Sequence, residues 1–509
     1  MKFAYVAAAA LFTAAPASAA WHEARSTHFT VYADEEPAAL KAYAERLERF
    51  DSAVREARGV PDVKPGAASR VTLYLVRDIQ QLERVFGERD SGVAGFYIPR
   101  ASGSVAFVPE KSGRTGAFRL NPQNIFYHEY THHLMLQDSD RPLPMWLTEG
   151  FAEFFASPEF KADGSVVIGM PPRYRANILY EKGYQMPLQQ MLSGDFNRIT
   201  EGEYLSLYGR GWLLTHLLSF DLKRRGQLTR YLNDIQSGVP AAKAADNAFG
   251  DIKQLDRELD AYFKRQTFTV STIPASKIRV GPIALRELRP GEAKMMWISI
   301  MLARGGSELK AKELARQARG IARDFSNDPA VLTTLSRIEL EADRPQPAAE
   351  AADQALRLAP QSDQAMLAKA RAMIALGKAA PASVNWENVR TLISRANRLD
   401  PENAEPLRLF YATYVSQGVQ PSKNALSGLK YAVVLAPQDD KLRMDLVGQL
   451  IDRSDFDEAR RFLVPLAFSP YQGKRQDAVV ELFEQVTAKN QAMAKAKWQA
   501  AAKFFKDDD

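Results

Sequence analysis

The sequence predicts an α+β unit followed by an all-α array of helical repeats. Strand-like runs are confined to the N-terminal part, helical periodicity takes over after Gly116, and prolines recur at near-regular intervals beyond residue 294. At 509 residues the chain exceeds what one hydrophobic core organises, so two or more domains are expected.

The first twenty residues, MKFAYVAAAALFTAAPASAA, carry one lysine, an apolar run and small residues ending in Ala17-Ser18-Ala19. That is the layout of a secretory signal peptide, so residues 1–20 are set aside and a periplasmic or secreted location is expected. The run stops short of the ~20 apolar residues that span a bilayer, and no later segment reaches that length, so the chain is not expected to be membrane-spanning.

The first domain is expected over 21–266. It opens with a strand at His28–Tyr32, an amphipathic helix from Pro37 to Ala57 and a strand at Val71–Val76 (VTLYLV). Ala94–Ile98 and Ser104–Val108 flank a Gly/Ser turn and predict a hairpin. Residues 267–293 break the helical period with β-branched residues, prolines and glycines, and are read as a linker with strand content.

Residues 294–509 repeat themselves. Prolines 329, 360, 401, 437 and 470 stand 31 to 41 residues apart, bracketing the ~34-residue period of a helix-turn-helix repeat. The segments AAEAADQALRLAPQSDQAMLAKARAMIALG, ISRANRLDPENAEPLRLFYATYVSQG and DFDEARRFLVPLAFSP resemble tetratricopeptide repeats. The resemblance implies a concave surface able to hold a protein partner.

Composition excludes several chemistries. The chain has no cysteine, which removes disulfides, thiolate ligands and a cysteine nucleophile. The net charge of +6 is spread without a dense Lys/Arg cluster, so no nucleic-acid partner is expected.

Three of the six histidines fall in NIFYHEYTHHLMLQDSDRPLPMWLTEGFAEFF, residues 124–155. His128-Glu129-Tyr130-Thr131-His132 matches H-E-x-x-H. Residues four apart share a helix face, so His128 and His132 can turn both imidazoles toward one ion while Glu129 lies beside it as a general base. Zinc suits two neutral imidazoles and a carboxylate, with a fourth position left for water. The polar segment Asp138–Pro144 ends this helix, and MWLTEGFAEFF begins another that carries Glu149 and Glu153 four apart. Glu149 is taken as the third ligand, with Glu153 either behind a ligand histidine or an ordinary exposed carboxylate.

H-E-x-x-H followed by W-L-x-E-G-F-A resembles the gluzincin metallopeptidases, specifically relatives of the aminopeptidase N family. The matching residues are His128, Glu129, His132, Trp146, Leu147, Glu149, Gly150, Phe151 and Ala152. The resemblance implies a thermolysin-like domain, a Zn²⁺ cofactor, a peptide or protein substrate, and zinc binding by the first glutamate of the second motif. The amine-anchoring G-x-M-E-N segment of that family has no counterpart near Gly92–Pro109, which favours an endopeptidase in which the hairpin offers an edge strand to an extended peptide. The family's Y-x-K-G helix is echoed by Tyr208, Arg210 and Gly211, so the resemblance implies Tyr208 as oxyanion donor, with Tyr204 and Tyr180 as alternatives. His133 points away from His132 and is expected to pack or support. His22, His28 and His216 are expected to be structural, and the terminal KDDD a solvated tail.

Overall fold

The structure, a computed structural model, describes residues 20–62, 70–89, 93–111, 121–138, 143–175, 179, 186–194, 199–265, 267–306, 308–467 and 474–505. The expected signal segment, Tyr180, the Ser469-Pro470 turn and the KDDD tail lie almost wholly or wholly outside these residues.

The N-terminal part is built on a six-stranded mixed sheet. Its strands are β1 (His22–Arg25), β2 (Phe29–Ala33), β3 (Val71–Asp78), β4 (Phe96–Ile98), β5 (Val105–Lys111) and, from far along the chain, β9 (Ala284–Glu287), in the order β4-β5-β3-β2-β1-β9. β2, β3 and β5 run parallel, whereas β4 pairs antiparallel with β5, and β1 pairs antiparallel with β2 and β9. The expected hairpin is therefore present, and β4 forms one edge of the sheet.

β3 explains why VTLYLV carries no polar alternation. Val71, Leu73 and Leu75 face one core with α1 (Pro37–Arg58), while Tyr74 and Val76 face a second core on the opposite side. A central strand buried on both faces reads as a continuous apolar run. The second core is closed by α2 (Ile79–Phe86) and by Leu288, Met296, Ile300 and Ala303. The last three belong to a helix that the repeat array was expected to own.

Beyond β5 come α3 (Pro122–Asp138), α4 (Met145–Phe155), β6 (Glu159–Phe160), β7 (Val166–Ile168), α5 (Leu188–Ser193), α6 (Glu201–Phe220), α7 (Gln227–Gln236), α8 (Ala241–Phe249), α9 (Ile252–Phe263) and β8 (Ser271–Ile273). β6, β7 and β8 make a small antiparallel sheet, so the helical pattern expected to continue unbroken after Gly116 is interrupted. Residues 267–293 are likewise no free linker. β8 pairs with β7, β9 extends the main sheet, and the Thr269 carbonyl meets His216 Nε2 of α6 at 2.9 Å. The strand content of this segment was legible, but its partners lie more than a hundred residues away, where local periodicity carries no information.

The C-terminal half is an array of helices, each packed on its chain neighbours. They are α10 (Pro290–Arg304), α11 (Glu308–Asp324), α12 (Pro329–Glu341), α13 (Pro345–Leu358), α14 (Asp363–Ala379), α15 (Trp386–Leu399), α16 (Ala404–Gln417), α17 (Lys423–Leu435), α18 (Asp440–Asp452), α19 (Phe456–Ala467), α20 (Lys474–Thr487) and α21 (Gln491–Ala501). α10, α12, α14 and α16 also pack on one another in succession, which gives the array an inner layer of alternate helices. Caps explain the repeated sequence breaks. Asp328, Ser362, Asn403 and Asp439 each accept a backbone N–H from the first turn that follows.

Two histidines outside the H-E-x-x-H window hold elements together, as expected. His28 joins β2 to α1 through Glu48, at 2.8 Å from both its backbone N and its Nδ1, while Nε2 meets Asp62 at 3.1 Å. His216 is fully buried, donating Nε2–H to Thr269 and accepting at Nδ1 from the Tyr262 hydroxyl at 2.8 Å.

Burial pushes the His216 pKa down to about 4, so the folded chain keeps this ring neutral whereas the unfolded chain protonates it near 6.5. The unfolded state thus binds more protons between those values, and stability falls as pH drops from about 6.5 to about 4. Chemical denaturation at both pH values should show a loss of at most about 3 kcal/mol that His216→Gln lacks. Equal pH dependence in the two proteins would rule out this origin.

Candidate metal centre

α3 begins where Asn121 Oδ1 caps the Gln123 N–H at 3.0 Å, with Pro122 at the first position. Its buried side is fixed to α1, because the Tyr130 hydroxyl donates to Asp51 at 2.7 Å. Asn124 Nδ2 donates to the Ala156 carbonyl at 2.6 Å, tying the start of α3 to the end of α4. The two helices therefore lie antiparallel, and the H-E-x-x-H face meets the middle of α4.

α4 is held by α6 at unusually short range. A β-carbon on Gly150 would stand 2.4 Å from the Gly211 carbonyl oxygen and 2.5 Å from Thr215 Oγ1, and one on Gly211 would stand 2.6 Å from the Trp146 carbonyl oxygen. Only glycine at both positions lets the backbones approach this closely. The contact sets Glu149 of α4 and Tyr208 of α6 around the same histidine face.

Three predicted ligands converge. His128 Nε2 and His132 Nε2 are 3.1 Å apart, and Glu149 Oε2 lies 3.2 Å from the first and 3.5 Å from the second. Ligand atoms about 2.1 Å from a tetrahedral ion stand about 3.4 Å from one another, so this triangle fits one face of a zinc coordination shell. Glu149 is buried, and its Oε2 is aligned for a hydrogen bond with neither ring. A buried carboxylate oxygen in that position, facing two imidazole nitrogens, is matched to a cation at the centre of the three. The donor set and its spacing fit Zn²⁺.

Electrostatics agree with the geometry. Burial opposes charge on His128, but Glu149 and Glu153 outweigh it and raise its pKa to about 10. Glu149 is held well below the usual carboxylate range, because His132 and His128 overcome the cost of its burial. The negative potential that attracts a proton to these rings attracts a divalent cation as well, and zinc and protons compete for them.

Glu153 is a buried carboxylate beside His128 rather than an exposed one. It is fully buried, with Oε1 3.4 Å from His128 Nδ1. Its remaining capacity is used by the Tyr174 hydroxyl at 2.7 Å and Arg175 Nε at 2.9 Å. The contact with His128 is an ion pair not aligned as a hydrogen bond, and it places the carboxylate on the Nδ1 side of the ring, opposite the Nε2 that faces Glu149. Tyr174 and Arg175 are neighbours of the candidate centre that the sequence did not announce, since PPRYR carries no motif. His133 turns away from the cluster, as expected. Its Nδ1 lies 2.7 Å from the Tyr97 hydroxyl of β4, and its ring stacks on Tyr130 at 5.5 Å between centroids.

Glu129 is half-buried and close enough to bear on the titration of Tyr97 and Tyr204. The Tyr208 ring centre stands 5.7 Å from that of His128, with Arg175 stacked 4.6 Å above the phenol. Burial, followed by the Glu149 charge, pushes the Tyr208 pKa up, so it remains a donor. Tyr204 lies one turn earlier, 6.0 Å away between ring centres. The phenol nearest the histidines is therefore Tyr208 among the described tyrosines of α6.

No family model matches this chain, and no curated protein matches it. Two similar solved structures are a thermophilic TPR protein from Thermus thermophilus and the yeast Tom70. The first is 17% identical over 39% of this chain and 99% of its own, with a TM-score of 0.32. The second is 13% identical over 73% of this chain and 76% of its own, with a TM-score of 0.26.

Two outcomes are expected at this centre. Glu149→Ala should lose bound zinc in metal analysis, whereas Glu153→Gln should keep it at saturation with affinity weakened by about 10- to 100-fold. Equal zinc affinity in all three proteins would move the site elsewhere. Gly150→Ala, which forces a methyl against a backbone carbonyl, should destabilise the chain by about 1–3 kcal/mol or more and weaken zinc binding with it. An unchanged melting temperature would show that the α4–α6 contact is not tight.

Proposed function

We propose that this chain is an exported zinc-dependent peptidase acting on internal peptide bonds. The observation that supports the reading is the convergence of His128, His132 and Glu149 on one point with Glu129 beside them. Zinc held by these three residues would supply a water of lowered pKa, toward about 7, and polarise the carbonyl under attack.

The chain's own groups divide the remaining work. A carboxylate oxygen of Glu129 accepts a proton from the attacking water and returns it to the leaving amine nitrogen. The Tyr208 hydroxyl donates to the oxyanion as the carbonyl carbon becomes tetrahedral. Glu153, with Tyr174 and Arg175 behind it, keeps His128 from rotating. β4, the edge strand whose Tyr97 touches α3 through His133, offers backbone groups to an extended substrate. Pairing along an edge needs no free terminus, which suits cleavage within a chain. The N-terminal twenty residues would direct export, and among the described residues no helix is long and apolar enough to cross a membrane.

A second reading concerns the repeat half, as a surface that binds a protein partner. It is favoured by a groove of about 510 Å³ along the inner helices. The two roles are compatible, the array recruiting what the metal centre cleaves.

Purified wild type should contain about one zinc per chain and cleave an unfolded protein substrate. Glu129→Gln should keep the zinc and lose about 10²-fold or more of kcat. Tyr208→Phe should lower kcat with little change in KM. Hydrolysis at the wild-type rate in Glu129→Gln would end the peptidase reading.

A further inference from the structure

A short hydrogen bond ties the edge strand β4 to the helix that carries H-E-x-x-H. Side chains alternate along the strand: Phe96 and Ile98 pack against the sheet's second core, whereas Tyr97 packs against the first, which contains α3. The Tyr97 hydroxyl meets His133 Nδ1 at 2.7 Å, and the two rings stand edge-on with centres 5.8 Å apart. His133 directly follows the candidate ligand His132 and is fully buried. It stacks on Tyr130, whose hydroxyl is fixed to Asp51 of α1. The strand is thus bonded to the part of α3 that is itself braced from behind.

Tyr97 is also held from the opposite direction. Ser104, fully buried just before β5, hydrogen-bonds to its hydroxyl. Gln438 Nε2 of the helical array reaches Ser104 Oγ at 3.4 Å and donates to the Arg100 carbonyl at 3.2 Å, and the α18 cap Asp439 accepts the Ala101 N–H at 2.8 Å. The phenol keeps its proton, because burial, with the Glu129 charge adding to it and the Ser104 bond offsetting only part, holds its pKa well above the ordinary tyrosine value.

Apolar packing is non-directional, so a phenylalanine would fill this place without fixing a distance, whereas a hydrogen bond fixes one to a few tenths of an ångström. That distance matters if a peptide pairs along β4, since its backbone then takes its position relative to the histidines from the strand. Reacting atoms must come within about 3–3.5 Å, and a misplacement of about 1 Å costs about 10²-fold. We infer that Tyr97 is a positioning residue, which fixes the spacing between β4 and α3 and is steadied by the Gln438–Asp439 corner of the array. The inference rests on the peptidase reading and on edge-strand pairing, and adds to them a residue that sets the geometry between substrate and centre.

Tyr97→Phe removes only the hydroxyl. In the zinc-loaded full chain it should lower kcat about 10-fold or more, with KM and zinc affinity each within about twofold of wild type. His133→Leu should match it, and the double variant should lose no more than either alone, because the two changes break one bond. His133→Asn, which keeps a polar atom near the Nδ1 position, should recover part of the loss. Gln438→Leu should give a smaller loss of the same kind, whereas Ser362→Ala, which removes a helix cap elsewhere in the array, should lower the melting temperature and leave kcat unchanged. In the zinc-free chain, amide exchange over Phe96–Ile98 should be faster in Tyr97→Phe than in wild type. An active wild type whose kcat is unchanged by Tyr97→Phe, losses that multiply in the double variant, or unchanged exchange in β4 would each overturn this inference and leave the peptidase reading standing. A zinc-loaded wild type that cleaves no peptide would overturn both.

Discussion

The backbone contact between Gly150 and Gly211 is the constraint on which the candidate centre depends. Glycine at both places removes the side-chain layer that normally separates packed helices by 8–10 Å. α4 is thereby pressed onto α6 while its opposite side faces α3. Glu149 directly precedes the contact glycine on α4, and Tyr208 lies three residues before its counterpart on α6. Both side chains inherit their position from the crossing, Glu149 meeting His128 and His132 and Tyr208 lying beside the His128 ring. A looser crossing would leave the histidine pair intact on its own helix but without a third donor.

The site is also an economy of buried charge. Glu149 and Glu153 are both inaccessible to water, which is costly for carboxylates unless each is matched. Glu153 is matched by Arg175, Tyr174 and His128, all within the protein. Among the described residues, Glu149 is matched by the two imidazoles of His128 and His132. Its negative charge can be met by a proton on those rings or by a cation between the three, which compete for the same atoms.

Much of this centre was legible in the sequence, for identifiable reasons. The i, i+4 spacing of His128 and His132 is a local property of a helix, and the proline-broken turn before Met145 makes delivery of a glutamate by the next helix geometrically simple. The role proposed for Tyr208 came from the resemblance of its helix to a family pattern rather than from spacing. Glu153 was ambiguous because its burial depends on Tyr174 and Arg175, which follow after a strand pair that was not foreseen. The hairpin and the strands around it were readable from alternation and β-branching. β8 and β9 were visible as strands but not as members of sheets, because pairing at such separation is decided by tertiary packing. The repeats declared themselves through prolines and caps, yet their first helix, α10, belongs as much to the sheet's second core as to the array.

That sharing is reinforced further along the array. Ala101, in the turn between β4 and β5, shares a core cluster with residues of α16 to α21, its N–H donates to Asp439 at 2.8 Å, and Gln438 Nε2 reaches the Arg100 carbonyl at 3.2 Å. The helical array thus meets the sheet at its first helix and again at the turn between α17 and α18, like a bracket closed around the edge strand. Two bodies joined at two separated points cannot swing about a hinge as bodies joined by one linker do. The chain should therefore unfold and exchange its amide protons as one cooperative unit, and any ligand that stiffens the array is felt mechanically at the strand that would receive a substrate.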